Sequence, residues 1–199
     1  MEKLRVLFFT GAGISVDSGI PTFQSQPGIR DKLTREFANE HPEAYRDTIW
    51  QMVEACEQAE PNAAHLAIAE AGFPVITMNV DGLHQKAGSE RVIEAHGKLP
   101  TKEEMERDEF PSEYDGIVLY GDLAPEYETA IKMVKSLEYG NSYFVIVGTS
   151  FYTGISETLH RIAKQRKASI VIVNNNASER VPLICKNLRT SMNLNKQRS

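Results

Sequence analysis

Asn79, Asp81 and His96 are the residues of this chain whose types and spacing best suit chemistry. Asn79 and Asp81 follow an apolar run at 74–78, so an amide and a carboxylate stand where open α/β sheets place their ligands. Such a pair can grip a ribose, a carboxamide or a water. His96 follows a strand-like run at 91–95 and precedes Gly97, where an imidazole could serve as a general base near neutral pH. A second group lies at the start of the chain. There the apolar run 4–9 stops at Gly11-Ala12-Gly13, with Ser15 just beyond. Gly11 and Gly13 let backbone approach a bound group and expose N–H donors, and the helix start that follows adds positive dipole. This is chemistry for the phosphates of a nucleotide. Val16 stands where a G-x-G-x-x-G fingerprint wants its third glycine, so the plain dinucleotide pattern fails. Taken singly, a strand–helix turn without ligand and a structural histidine explain these residues as simply.

The elements that must position them alternate. Apolar runs at 4–9, 74–78, 116–120, 143–147 and 169–173 read as strands, and the stretches 62–71, 125–138 and 155–167 read as helices. Pro125 suits a helix entry, while Gly72 and Gly140 follow helix ends. Apolar strands alternating with helices predict an α/β fold, a parallel sheet covered by helices on both faces. Two stretches break the rhythm and read as insertions in a single domain spanning 1–199. Residues 24–60 are polar and helical in pattern, with Tyr45, Ile49, Trp50 and Val53 as a core-facing stripe. Residues 98–115 are short and carry seven acidic side chains, the pattern of a solvated surface helix. The tail 186–199 reads as a loosely held terminus.

Bulk composition narrows the classes. A chain of 199 residues with 41% hydrophobic and 25% charged residues is ordinary for a soluble globular domain, and no apolar run reaches membrane length. The net charge of −5 argues against generic nucleic-acid binding. Two distant cysteines, Cys56 and Cys185, give no paired-cysteine metal pattern and suggest a reducing compartment. No signal peptide precedes the first strand, so the expected location is cytoplasmic. Oligomeric state is not legible. Among single residues, Asn62 reads as a helix N-cap and His65 as a packing residue. His84 reads as a surface residue or one behind the site, His41 and His160 as solvated, and Cys56 as buried and inert.

Together the motifs resemble the sirtuin family of NAD-dependent protein deacylases. Residues 11–23 are similar to its G-A-G-x-S-x-x-S-G-I-P-x-F signature, and Pro61-Asn62-Ala63-Ala64-His65 to its P-N-x-x-H. Thr77-Met78-Asn79-Val80-Asp81 resembles T-Q-N-[IV]-D, and His96-Gly97 matches H-G. Residues 118–125 resemble V-x-F-G-E-x-x-P, Gly148-Thr149-Ser150 the G-T-S loop, and Val173-Asn174 the I-N contact. Seven blocks in register, from residue 4 to about 175, make the likeness specific.

The resemblance implies a Rossmann-like fold with a small helical insertion, and removal of acyl groups from protein or peptide lysine using NAD. It implies NAD held by Gly11, Ala12, Gly13, Ser15, Phe23, Gly148, Thr149, Ser150 and Asn174. Asp81 would meet the nicotinamide carboxamide, and Asn79 the ribose or a water. His96, with Asn79, would be catalytic, taking a proton from a ribose hydroxyl while the acyl oxygen attacks the ribose carbon and nicotinamide leaves as O-acyl-ADP-ribose forms. Val80, Val118, Tyr120 and Gly121 would contact the acyl-lysine substrate, with Phe23 and His96 completing the tunnel wall. NAD hydrolysis or protein ADP-ribosyl transfer is the alternative activity.

Three departures carry expectations of their own. The family's two C-x-x-C pairs are missing, and residues 98–115 hold no Cys or His, so no structural zinc is expected and the small domain is truncated. Gln24 stands where the family has arginine after Phe23, removing a cationic contact. Met78 replaces the glutamine of T-Q-N. Family members that take succinyl-lysine use a Tyr and an Arg three residues apart in the helical insertion. Alignment from Pro61 puts Asp47 and Trp50 there, so a neutral acyl group is expected.

Overall fold

The computed structural model describes residues 3–22, 25–26, 28–107, 116–150 and 153–196. In chain order, β1 (Val6–Thr10) runs into two short 3-10 turns at Ala12–Ile14 and Val16–Ser18. Three helices follow, α1 (Ile29–Lys32), α2 (Arg35–Glu40) and α3 (Pro42–Gln58), and then α4 (Ala63–Ala71) and β2 (Val75–Thr77). Next come α5 (Leu83–Lys86), β3 (Val92–Glu94), α6 (Lys102–Met105) and α7 (Glu126–Lys135). The chain closes with β4 (Tyr143–Val147), α8 (Gly154–Gln165), β5 (Ser169–Val173) and α9 (Ala177–Lys196).

Among the described residues the strands form one sheet in the order β3-β2-β1-β4-β5, and every pairing is parallel. Side chains alternate faces along each strand, and both faces of the central strands β1, β2 and β4 are buried. Leu7, Phe9, Phe144 and Ile146 pack under α7 and α8, where Ala130, Val134, Leu159 and Ala163 meet them. Val6, Phe8, Val145 and Val147 point the other way, onto Ala64 and Ile68 of α4 and Val181, Cys185 and Leu188 of α9. Phe9 is wholly buried and lies beside Phe144, so Phe9→Ala would cost about 3–5 kcal/mol. The strand order reverses at β1, between β2 and β4, which opens a crevice above their carboxyl ends.

A third cluster stands apart from the sheet. Tyr45, Ile49 and Val53 of α3 pack with Leu33, Ala38, Met105, Ile117 and Leu119. Pro42 starts α3 at a position that needs no N–H donor, and the apolar residues recur at helical spacing down one face. Trp50 packs only partly buried against this cluster. Helix α6 is closed by a capping box between Thr101 and Glu104, and its Met105 is buried rather than solvated.

Two expectations are corrected. Residues 116–120 are not a sheet strand: Ile117 and Tyr120 make isolated bridges, to Gly97 and Thr34, because the neighbours of this segment are loops. The tail is not loose up to residue 196. It belongs to the twenty-residue helix α9, whose Val181, Cys185 and Leu188 complete the core. No helix of the described residues is long and apolar enough to cross a membrane.

Candidate active site

One cavity of about 710 Å³ opens above the carboxyl ends of β1, β2, β3, β4 and β5. Gly11, Ala12, Gly13 and Ser15 line it from the loop after β1, and Asn79, Val80 and Asp81 from the loop after β2. His96 follows β3, Gly148, Thr149 and Ser150 follow β4, and Asn174 follows β5. Val118, Tyr120 and Gly121 form part of the opposite wall. Phe23 and Gln24 lie outside the described residues.

The glycines are required by close approach. A Cβ on Gly13 would stand 2.6 Å from the Cα of Gly148, and one on Gly148 (φ 63) would meet Gly13 in turn. The two loops are pinned there, with the Gly13 N–H donating to the Gly148 carbonyl at 2.9 Å. At Gly97 (φ 75) a Cβ would collide with the Gly116 carbonyl, so this glycine lets the His96 loop lie against residues 116–118. Val118 N–H donates to the His96 carbonyl at 2.9 Å and fixes that contact.

The polar centre is a knot of three side chains. The Ser15 hydroxyl donates to Asp81 Oδ2 at 2.6 Å, and Asn79 Nδ2 donates to Ser15 Oγ at 3.0 Å and to the same Asp81 oxygen at 3.1 Å. The Leu83 N–H donates to Asp81 Oδ1 at 3.0 Å. Asp81 is thus oriented from both carboxylate oxygens by residues of two loops. Asn62 does more than cap α4. Its Oδ1 accepts from Ala64 N–H, while Nδ2 donates to the Ile14 carbonyl at 2.8 Å and to Ser18 Oγ at 3.0 Å, holding the loop after β1.

His96 Nε2 lies 2.9 Å from the hydroxyl of Tyr127, the second residue of α7. Burial pushes the His96 pKa down, opposed by a hydrogen bond to the Met78 backbone, so the ring is neutral at pH 7. Burial, helped by Tyr120, pushes the Tyr127 phenol up. Behind Thr10, His65 and His84 are buried edge to face at 4.9 Å, and His84 Nε2 meets Thr10 Oγ1 at 3.0 Å. His84 is therefore beneath the site and not at the surface. Both imidazoles are held neutral by burial.

Several residues here had no signal in the sequence. Tyr127 reaches His96 across 31 positions, from a helix whose apolar Ala130 and Val134 face the core. Helix α3 turns Thr48, Gln51, Met52 and Ala55 to the cavity, with Cys56 beside them. Asp47 and Trp50, the aligned positions, do not line it, because the helix register places them on other faces. Cys56 is half-buried at this wall rather than enclosed, and burial, with Asp81 nearby, pushes its thiol up to about 12. Arg30 of α1 also lines the cavity, away from the aligned positions in α3. Met78 fills the gap beneath Gly11, and its sulfur receives the hydroxyls of Thr153 at 3.3 Å and Ser156 at 3.4 Å.

The far wall hangs on fewer contacts. Arg35 makes a two-pronged pair with Asp122, both N–H···O distances 2.8 Å, which pulls the Asp122 pKa down. Tyr120 N–H donates to the Leu33 carbonyl and Arg35 N–H to the Tyr120 carbonyl, each at 3.0 Å.

The sequence profile of the Sir2 family matches residues 11–109. An NAD-dependent protein deacylase of Aquifex aeolicus is 34% identical over 206 residues, covering 87% of this chain and 84% of the relative. NAD-dependent protein deacylase 2 of Archaeoglobus fulgidus is 32% identical over 207 residues, covering 87% and 81%. Among solved structures, a Sir2 homologue in complex with NAD superposes with a TM-score of 0.81 at 25% identity, covering 94% of this chain and 90% of that one. Sir2Tm bound to a propionylated peptide gives a TM-score of 0.76 at 25% identity, covering 92% of each.

Proposed function

The chain belongs to the Sir2 family, and on that premise we propose that it is an NAD-dependent protein lysine deacylase acting through His96. The observation that carries this reading is a single cavity with two unlike sides. One side holds the Ser15–Asn79–Asp81 knot, His96 and the glycine loops, and the other is the mostly apolar wall of Val80, Val118 and α3.

The residues present fit NAD. Thr149 Oγ1 is buried, has no hydrogen-bond partner among the described residues and belongs to the cavity lining, as a hydroxyl meant for a ribose or phosphate would. Gly11, Ala12 and Gly13 present backbone to the cavity, and Arg30 brings positive charge to a site that must accept a diphosphate. Gly148, Ser150 and Asn174 complete that side. Bound there, NAD supplies a ribose carbon activated by its nicotinamide leaving group.

The chain's own residues then have separable tasks. His96, neutral at pH 7, offers Nε2 to take a proton from a ribose hydroxyl. Ser15 and Asn79 hold Asp81, which would meet the nicotinamide carboxamide, and Asn79 would meet the ribose or a water. Val80, Val118, Tyr120 and Gly121 wall the acyl-lysine and exclude water, which strengthens the fixed dipoles around the reacting carbon. The neutral lining of α3 favours a neutral acyl chain, acetyl or longer, with Arg30 assigned to the diphosphate. Residues 1–199 act as one catalytic domain without structural zinc, because Cys56 at the cavity wall and Cys185 in the core leave a four-ligand site unsupplied.

The test is a product mass spectrum from acetyl-, longer acyl- and succinyl-lysine peptides incubated with NAD. Deacylated peptide with O-acyl-ADP-ribose is expected from the neutral acyl peptides. Nicotinamide and plain ADP-ribose with the acyl peptide intact would overturn deacylation in favour of NAD hydrolysis, and ADP-ribosylated protein would do so in favour of transfer. Preference for succinyl peptide, lost in Arg30→Ala, would reassign Arg30 to the acyl side.

A further inference from the structure

The lone pair of His96 Nε2 already has a partner. The Tyr127 hydroxyl lies 2.9 Å away, with the two rings tilted at 45° and their centres 5.8 Å apart. The direction of that hydrogen bond is set by the His96 tautomer. A base that takes a proton at Nε2 carries its own proton on Nδ1, and in that tautomer the Tyr127 hydroxyl donates and Nε2 accepts.

Neutral imidazole has one acceptor lone pair, and two hydroxyls cannot share it linearly. A ribose hydroxyl that gives its proton to Nε2 must therefore take the place of Tyr127. The tyrosine can turn aside: it is half-buried in the cavity lining, and although its ring packs against the core, Ala130 and Val134 are wholly buried there and, with Ile131 and Met133, keep α7 on the sheet. We propose that Tyr127 is a positioning residue that occupies Nε2 of His96 until a ribose hydroxyl displaces it, orienting the imidazole while holding down the affinity of the cofactor. This rests on the placement of NAD with its nicotinamide-side ribose at His96.

The sign of the effect is unusual for the loss of a contact inside a binding site. Removing the Tyr127 hydroxyl leaves Nε2 without its protein partner, so the free protein loses a hydrogen bond that the bound protein does not use. Binding of the ribose then becomes tighter. ADP-ribose carries that ribose and ADP lacks it, so the pair separates this effect from any change in the adenosine or diphosphate contacts.

Calorimetric titration of the whole chain and of Tyr127→Phe with ADP-ribose and with ADP tests the proposal. Tyr127→Phe is expected to bind ADP-ribose about three- to tenfold more tightly, the size of one ordinary hydrogen bond, with ADP affinity unchanged. Equal or weaker binding of ADP-ribose overturns the proposal, and so does a parallel change for both ligands, which would assign Tyr127 to packing alone. A wild-type protein that binds ADP-ribose no better than ADP would instead defeat the placement of the ribose at His96, on which the proposal depends.

Discussion

The two sides of the cavity are built by different means. On the cofactor side the loop residues of the wall sit one to five positions beyond a strand of the parallel sheet, and the loops after β1 and β4 touch backbone to backbone at Gly13 and Gly148. On the acyl side the wall at 117–122 is held by isolated bridges to Gly97 and Thr34 and by the Arg35–Asp122 pair. The first side inherits its geometry from the buried core, so its positions are fixed by many contacts at once. The second rests on these polar links and on Ile117 and Leu119 in the smaller cluster with α3, away from the sheet. The proposed function would place the chemistry that needs a fixed angle on the side tied to the sheet, and substrate selection on the other.

The largest expected effect falls where the two sides meet. His96→Ala should lower kcat by about a thousandfold, within the range for a lost general base, while ADP-ribose still binds in calorimetry. Retained turnover would remove His96 from its role. On the cofactor side, Gly13→Ala forces backbone apart at Gly148, and a misplacement of about 1 Å can cost a catalytic site about a hundredfold in rate. The kcat/KM for NAD should fall to that extent and ADP-ribose should bind more weakly, with the peptide KM unchanged once NAD saturates. A loss confined to the peptide KM would contradict the division.

On the acyl side, Arg35→Ala removes a charge-assisted pair of about 1.5–3 kcal/mol in favourable settings, reduced here by partial exposure. The peptide KM should rise about three- to tenfold, with ADP-ribose affinity unaltered. An equal loss of both would show one coupled wall instead of two.

The smallest effect at neutral pH grows on acidification. His65 and His84, beneath the cofactor side near Asp81, are lowered by burial from 6.5 to about 4 and about 3. Folded values below the unfolded one mean that the unfolded chain binds protons first. Their contribution to stability is therefore complete above about pH 6.5 and is lost as pH falls toward 4, at up to about 1.4 kcal/mol per pH unit for each histidine. Urea midpoints at pH 7 and pH 5 check this, and equal midpoints would contradict it.

The same contrast governed what the sequence revealed. The strands at Tyr143–Val147 and Ser169–Val173 were legible to the residue, because parallel strands between helices carry near-continuous apolar runs, even at the edge where Ile172 is exposed. An equally apolar run at 116–120 misleads, since apolarity reports burial and this segment is buried among loops of the acyl side. Helix α9 was hidden by Pro182 within it and by polar residues between Val181, Cys185 and Leu188. The residues following strands could be anticipated because they inherit the order of the sheet. Tyr127, Arg30 and the cavity face of α3 could not, since their approach is set by tertiary packing alone.

Asn62 shows how one amide can be specified by two neighbours with opposite demands. Helix α4 asks only for an oxygen, and aspartate serves as well as asparagine at such a position. The loop after β1 asks for a nitrogen, because its partner there is the Ile14 carbonyl. Aspartate, the product of simple hydrolytic ageing at this side chain, would keep the helix and set a carboxylate against that carbonyl. The helix would survive and the loop would be pushed away, so slow deamidation at this position would silence cofactor binding in a protein that still looks folded.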